Sequence, residues 1–169
     1  NTDKKVYRPG ETVTITGQVE NRATIEAGNL TFTLHSKLNT QNSELVFTET
    51  FNIPAGGSHP FYITTPAGAE GTVTLRGAVS QNNSTLVEIQ DQYEVAIPKV
   101  SVTVTVPEVV GNEEFPISVE MKNAGKVEAT VQFGVESSPA EGAGREFGDL
   151  QTITVPPGEI RLIQYQQQI

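Results

Sequence analysis

The chain has 169 residues, a formal charge of −9 and no cysteine. The acidic balance disfavours nucleic acid and anionic membrane surfaces as partners, and the lack of cysteine excludes disulfides, thiolate metal sites and cysteine nucleophiles. No apolar run approaches the roughly 20 residues of a membrane-spanning helix, so no membrane insertion is expected in this segment. Because the sequence begins at Asn1 without a methionine or a recognisable signal peptide, we expect a mature or excised piece of a longer protein.

The clearest single element is the strand that follows the Pro9-Gly10 turn. Val13, Ile15 and Val19 share one face with Gly17, while threonines and other polar side chains occupy the opposite face. This period of two predicts a strand with one buried face. A short strand within residues 1–6 is predicted to precede it.

Further segments of alternating apolar residues follow, each bounded by Gly, Pro, Asn or Ser turn signals. Leu45, Phe47, Phe51 and Ile53 are predicted to share a face in one of them, and a bulge is expected near Asp91 in the last. Seven short strands at this spacing are typical of an immunoglobulin-like β-sandwich. The predicted strands lie in 1–6, 11–20, 30–35, 45–53, 61–65, 73–79 and 87–97.

A domain boundary is predicted at Pro98-Lys99, which gives domains at 1–98 and 99–169. The two halves read as distant repeats, because Val19-Glu20-Asn21 resembles Met121-Lys122-Asn123 and Ile53-Pro54-Ala55-Gly56 resembles Val155-Pro156-Pro157-Gly158. About five strands fit into the second half, fewer than the roughly seven of an immunoglobulin-like sandwich. The predicted fold class is therefore all-β, with two tandem immunoglobulin-like antiparallel β-sandwiches. The second is expected to be incomplete, through truncation or because a partner strand completes it.

Two stretches resemble known families. The opening Asp3-Lys4-Lys5-Val6-Tyr7-Arg8-Pro9-Gly10-Glu11-Thr12-Val13 is similar to that of a macroglobulin-type (MG2-like) β-sandwich and to bacterial and archaeal surface repeat domains. The second half, with Phe115-Pro116-Ile117-Ser118-Val119, Asn123-Ala124-Gly125 and Val155-Pro156-Pro157-Gly158-Glu159, resembles CARDB- or NEW3-type domains. These resemblances imply immunoglobulin-like modules of extracellular proteins, including adhesins and carbohydrate-active enzymes. The macroglobulin thioester requires a cysteine, so protease trapping is not implied for this chain.

The search for chemistry identifies no catalytic or cofactor-binding residue. His35 and His59 stand outside any HExxH, GxSxG or HxH pattern, and we interpret both as solvated surface residues. The glycine-rich run at 142–148 lacks the lysine and the helix start of a phosphate loop, so a flexible loop is predicted there.

Two ligand sites remain as hypotheses. Glu113 and Glu114, together with Asp149 or Glu108, offer the hard oxygen ligands that calcium prefers, although no DxDxDG loop is present. Tyr62 is out of phase with its apolar neighbours in the strand and is the best candidate for stacking on a sugar. Apart from calcium, no cofactor is expected.

These observations predict a non-catalytic structural or adhesive spacer module of a larger extracellular or cell-surface protein. Its expected partners are other domains of the same parent protein and protein or carbohydrate at the cell surface. One alternative is an accessory carbohydrate-binding or positioning module of a secreted enzyme. The other is a subunit that assembles by β-strand addition.

Overall fold

The computed structural model describes residues 1–39, 41–108, 114–134, 136–137, 146–147 and 150–167. Within these ranges the chain is all-β and contains no helix, so it has none that is long and apolar enough to cross a membrane. The strands are β1 (Val6–Tyr7), β2 (Thr12–Glu20), β3 (Ala27–Leu38), β4 (Glu44–Ile53), β5 (Ser58–Pro66), β6 (Gly71–Gln81), β7 (Ser84–Val95), β8 (Val100–Thr105), β9 (Phe115–Asn123), β10 (Ala129–Phe133), β11 (Glu136–Ser137), β12 (Glu146–Phe147), β13 (Gln151–Val155) and β14 (Ile160–Gln167).

The chain divides into two compact units, which we call unit 1 (Asn1–Ala96) and unit 2 (Ile97–Ile169). The division falls two residues before the boundary predicted at Pro98-Lys99. Strands β1 to β7 belong to unit 1, and β8 to β14 belong to unit 2.

Unit 1 is sandwich-like, with two sheets that share one core. One sheet has five strands in the order β1-β7-β6-β3-β4, and the other is the antiparallel pair β2-β5. β1 runs parallel to β7, and the remaining pairs of the large sheet are antiparallel. Because side chains alternate between the faces of a strand, each sheet presents one apolar row to the other. The buried residues of this core are Tyr7, Val13, Ile15, Leu30, Phe32, Leu34, Phe51, Ile53, Phe61, Ile63, Ala67, Val73, Leu75, Val79, Tyr93 and Val95.

Aromatic rings join the two sheets at the centre of unit 1. Phe32 of β3 stacks on Phe61 of β5, with ring centroids 4.3 Å apart and planes inclined by 28°. Phe51 of β4 meets Phe61 edge-on at 5.4 Å. Large rings in such offset and edge-to-face contacts contribute packing energy beyond their buried area, so this group is a major source of cohesion between the sheets.

Unit 2 contains a three-stranded antiparallel sheet in the order β14-β9-β8 and the antiparallel pairs β10-β13 and β11-β12. Its core is small: Val119, Met121, Ala129 and Val155 are buried. The apolar side chains packed around these four are only partly buried. They are Val100, Ile117, Val131, Phe133, Ile153, Ile163 and Tyr165.

Four strands of unit 2 repeat four strands of unit 1 at a spacing of 102 residues. Strands β9, β10, β13 and β14 correspond to β2, β3, β4 and β5. The pairing register is the same up to the register shift between Ala27 and Leu30, after which residues of β3 and β10 correspond at a spacing of 101. The equivalent pairs are Glu20–Ser58 with Lys122–Ile160, and Ala27–Ile53 with Ala129–Val155. Among the described residues of unit 2, no strands correspond to β6 and β7.

Several sequence expectations for unit 1 need correction. The first strand is only β1, and the residues before it contribute a single bridge between Thr2 and Ile15. The register shift against β7 occurs beside Val79, next to the hairpin turn, and not near Asp91. Leu45 leaves the buried row and is exposed, because the pairing of β3 with β4 also shifts at this end.

Candidate functional site

The most distinctive surface feature of unit 1 is a cleft of about 430 Å³ along one edge of β2. Its lining is mainly apolar and comes from both sheets, including Val19 of β2, Phe32 of β3 and Phe61 of β5. Gly17 leaves room at its mouth, since a Cβ atom there would meet nothing within 4 Å. The cleft therefore opens directly onto the core between the sheets.

The edge of β2 beside this cleft is covered along only part of its length. The Asn1 ammonium donates to the Thr16 carbonyl at 2.7 Å, and the Thr16 N–H donates to the Asn1 carbonyl at 2.9 Å. Beyond Thr16 the described chain places no strand beside β2 on this side. Antiparallel alternation directs the N–H and C=O groups of Gln18 and Glu20 toward this open edge.

The inner face of β7 is exposed in the same cleft. Tyr93 and Val95 lie on this face and are buried, whereas Val87 and Ile89, further back along the same row, are 47% and 59% exposed. Both residues line the cleft. The opposing sheet is only two strands wide, so it does not extend over the first half of β7. The strand predicted over residues 87–97 includes Val87 and Ile89, and the sequence carries no signal that this half of the strand is uncovered.

The equivalent edge in unit 2 is occupied by β8. β8 pairs antiparallel with β9, and Val102 and Val104 lie opposite Met121 and Val119. The last two are the counterparts of Val19 and Gly17 in unit 1. Val102 and Val104 are nevertheless 52% and 58% exposed, because the described part of unit 2 has no strand equivalent to β7 to cover them.

A buried asparagine closes the same end of each unit. In unit 1, the side-chain amide of Asn21 donates to the carbonyls of Ile25 at 2.8 Å, Ile53 at 3.1 Å and Pro54 at 3.1 Å. Its Oδ1 accepts the Ala23 N–H at 3.1 Å. One side chain thus ties the end of β2 to the end of β4 in the opposite sheet.

Asn123 makes the same connection in unit 2. Its amide donates to the carbonyls of Val127 at 2.8 Å and Val155 at 2.9 Å, and its Oδ1 accepts the N–H of Gly125 at 2.9 Å. The same oxygen also accepts the Lys99 N–H at 3.2 Å, which fixes the segment leading into β8. The asparagine turns noted in the sequence are therefore equivalent braces, and a buried amide that satisfies several backbone groups is costly to remove.

The opening segment of residues 3–13 has a structural role in unit 1. Tyr7 is fully buried, and its hydroxyl donates to Asp3 Oδ1 at 2.8 Å while accepting the Lys4 N–H at 2.9 Å. Burial raises the pKa of Tyr7 to about 12, and the hydrogen bonds from the Tyr7 hydroxyl and the Thr14 N–H lower the pKa of Asp3. Gly10 adopts a φ of 82°, as the predicted Pro-Gly turn requires.

Tyr62, the candidate for sugar stacking, lies on the outer face of β5 and is 73% exposed. Among the aromatic residues whose exposure the structure describes, it is the only exposed ring. A single ring provides one stacking surface without a neighbouring aromatic platform.

Of the proposed calcium ligands, only Glu114 and the alternative Glu108 lie among the described residues, and both are exposed. Glu113 and Asp149 lie outside the described residues, and Glu114 is exposed at the residue before β9. Within the described ranges no group of three or more acidic or histidine side chains is placed to hold a metal ion.

The interpretation of His59 as a solvated residue is wrong. Its ring stacks on Phe51 with centroids 4.3 Å apart and planes within 8°, and its Nε2 lies 3.3 Å from Glu49 Oε1. His35 is half-buried in β3 and pairs with Arg76 across the sheet. The two histidines belong to different strands and share no site.

Comparisons with known proteins define no family for this chain. No protein-family model matches the sequence, and no curated protein matches it. Among solved structures, the sporulation control protein Spo0M from Bacillus subtilis is similar over 99% of this chain and 88% of its own length, with 10% sequence identity and a TM-score of 0.40. A likeness at that score carries no argument about function. The fold itself defines an all-β protein built from a repeated sandwich-like unit.

Proposed function

We propose that this chain is a non-catalytic structural module of a larger extracellular or cell-surface protein, in which tandem immunoglobulin-like units provide spacing and present their faces to partners. The observation that carries the proposal is the repeat at 102 residues, which extends to the hydrogen bonds of Asn21 and Asn123. Tandem repetition of a structural unit lengthens a chain without requiring a new fold, and here the repetition covers four strands of each unit.

The repeated brace supports a mechanical role. In each unit the asparagine side chain joins a strand of one sheet to the end of a strand in the other sheet. The backbone N–H of the same asparagine donates to the turn before the paired strand of its own sheet, at the Gly57 carbonyl in unit 1 and the Glu159 carbonyl in unit 2. Such cross-sheet connections oppose sliding of the sheets. The family resemblances of both halves to extracellular modules point in the same direction.

Force spectroscopy on a polyprotein containing several copies of this chain would test the proposal. We expect a distinct force peak for unit 1, with roughly 330 Å of added contour length for its 96 residues at about 3.4 Å per residue. Unfolding of unit 1 without a resolved peak would contradict a load-bearing role.

Assembly by β-strand addition is the second candidate, and the partly exposed core of unit 2 favours it. Among the described residues β10 pairs only with β13, whereas its counterpart β3 has partners on both sides. Light scattering over a concentration series distinguishes the two functions. A monomer at every concentration supports the spacer, and growth of oligomers supports strand addition. An accessory carbohydrate-binding role rests on Tyr62 alone and is less well supported.

A further inference from the structure

We infer that the open edge of β2 and the cleft beneath it form an acceptor site for one β-strand. The strand that fits runs antiparallel to β2, carries an apolar side chain at every second residue and ends where its last residue meets Asn1. Its chemistry is that of β8, whose valines alternate with serine and threonine. Strand binding here does not require that the protein be a spacer, so it can be tested separately from the proposed function.

The direction and register of this strand follow from the residues that already pair with β2. Asn1 lies opposite Thr16 and Thr2 lies opposite Ile15, in antiparallel orientation. A strand that continues this pairing places its last residue opposite Gly17 and the residue two positions earlier opposite Val19. Its backbone then completes the hydrogen bonds of Gln18 and Glu20.

The cleft specifies the side chains of the strand. Directly opposed residues of an antiparallel pair point to the same face, so residues opposite Gly17 and Val19 face the inner side of β7. There they would cover Val87 and Ile89, which are now largely exposed. Burial of apolar surface on the added strand and on β7 favours valine or isoleucine at these two positions. The residues between them face outward and are expected to be polar.

Unit 2 has such a strand on the equivalent edge. β8 pairs with β9 as far as Asn123. The chain just before β8 can come this close only because residue 125 is glycine, since a Cβ atom on Gly125 would lie 2.7 Å from the Lys99 nitrogen. Unit 1 has Ala23 at the position of Gly125, so the backbone of an added strand cannot approach the turn after Asn21 as closely. The acceptor site is therefore confined to the edge from Gly17 to Glu20.

Two versions of the full chain, extended immediately before Asn1, test this inference. The first carries Ser-Val-Thr-Val, which places valines opposite Gly17 and Val19. The second carries Val-Thr-Val-Ser, which has the same composition but is shifted by one residue, so that its valines face outward. Amide hydrogen exchange at Gln18 and Glu20 and the methyl NMR signals of Val87 and Ile89 are compared with those of the unextended chain.

We expect exchange at Gln18 and Glu20 to slow by about tenfold or more in the first extended chain only, with shifts of the Val87 and Ile89 methyl signals. Ile89→Thr in that chain should reduce the protection, because it removes apolar surface while keeping a β-branched residue. Equal protection by both extensions, or by neither, would overturn the inference. It would also be overturned if the unextended chain dimerised with protection of Gln18, since a second copy would then occupy the edge.

Discussion

Units 1 and 2 share four strands and one brace, yet the same positions of their cores are buried to different extents. Six apolar residues of unit 1 are buried, and their six counterparts in unit 2 are only partly buried. The pairs are Ile15 and Ile117, Leu30 and Val131, Phe32 and Phe133, Phe51 and Ile153, Phe61 and Ile163, and Ile63 and Tyr165. The local strands are equivalent, so the difference comes from β6 and β7, which supply Val73, Leu75, Val79, Tyr93 and Val95 in unit 1.

At the edge of β2 and of its counterpart β9, it is unit 2 that has the additional strand. Here unit 2 has β8, while unit 1 has an open cleft. Among the described residues, the exposed valines of β8 have no strand like β7 over them in unit 2, and Val87 and Ile89 of β7 have no strand like β8 over them in unit 1. For these four residues, therefore, exposure reflects the lack of a described neighbouring strand, whereas Tyr62 is exposed because it lies on an outer face.

Truncation of the central phenylalanine should give the largest difference in lost stability between the two units. Phe32→Ala removes a buried ring stacked on Phe61 and should lower the free energy of unfolding of unit 1 by about 4 kcal/mol. Phe133→Ala removes a partly buried ring that meets Tyr165 edge-on at 6.0 Å, and we expect about 2 kcal/mol in unit 2. Urea unfolding followed by hydrogen exchange and mass spectrometry reports on each unit. Equal losses would show that burial differs less than the structure indicates.

Removal of the asparagine brace should destabilise both units. Asn21→Ala and Asn123→Ala each leave several backbone groups without a partner, and we expect a loss of about 3 kcal/mol in the unit concerned. The exposed loop residue Asn42 provides the control, and Asn42→Ala should change stability by less than about 0.5 kcal/mol. If only one of the two brace variants were destabilised, the braces would not be equivalent.

Substitution of the residue two positions after each asparagine tests how closely the segment before β8 packs against the turn that follows Asn123, compared with the equivalent turn of unit 1. Gly125→Ala brings a Cβ atom within 2.9 Å of the Ile97 carbonyl and closer still to the Lys99 nitrogen. We expect a loss of about 2 kcal/mol in unit 2 from this overpacking. Its counterpart Ala23 is exposed, so Ala23→Gly should cost unit 1 less than about 1 kcal/mol through backbone entropy. Thermal unfolding monitored by circular dichroism measures both, and a neutral Gly125→Ala would mean that the segment before β8 can move away.

The sequence predicted the local features of this fold better than its exposed surfaces. Alternation of apolar residues gave seven strands in unit 1, and two short segment matches led to the Asn21 and Asn123 repeat. Alternation places Val87 and Ile89 in the same row as Tyr93, however, because the pattern of one strand carries no information about the width of the opposing sheet. His59 was misread for a related reason: its ring contact with Phe51 joins strands from different sheets, and no spacing in the chain records that contact.

The smallest expected effect is an acid sensitivity of unit 1 that depends on Asp91. Burial alone would raise the pKa of Asp91, but hydrogen bonds from the Lys5 ammonium and from the N–H groups of Gln92 and Thr2 outweigh it, so the pKa is lowered. A carboxyl group whose pKa is lower in the folded state stabilises the fold above its ordinary value of 3.8, and this contribution is lost as the pH falls through the folded pKa. Asp91→Asn should therefore lower stability by less than about 1 kcal/mol at neutral pH and flatten its decline below about pH 4. Urea titrations of both proteins between neutral pH and pH 2 measure this slope, and parallel declines would mean that Asp91 does not hold the segment around Thr2 and Lys5 to β7.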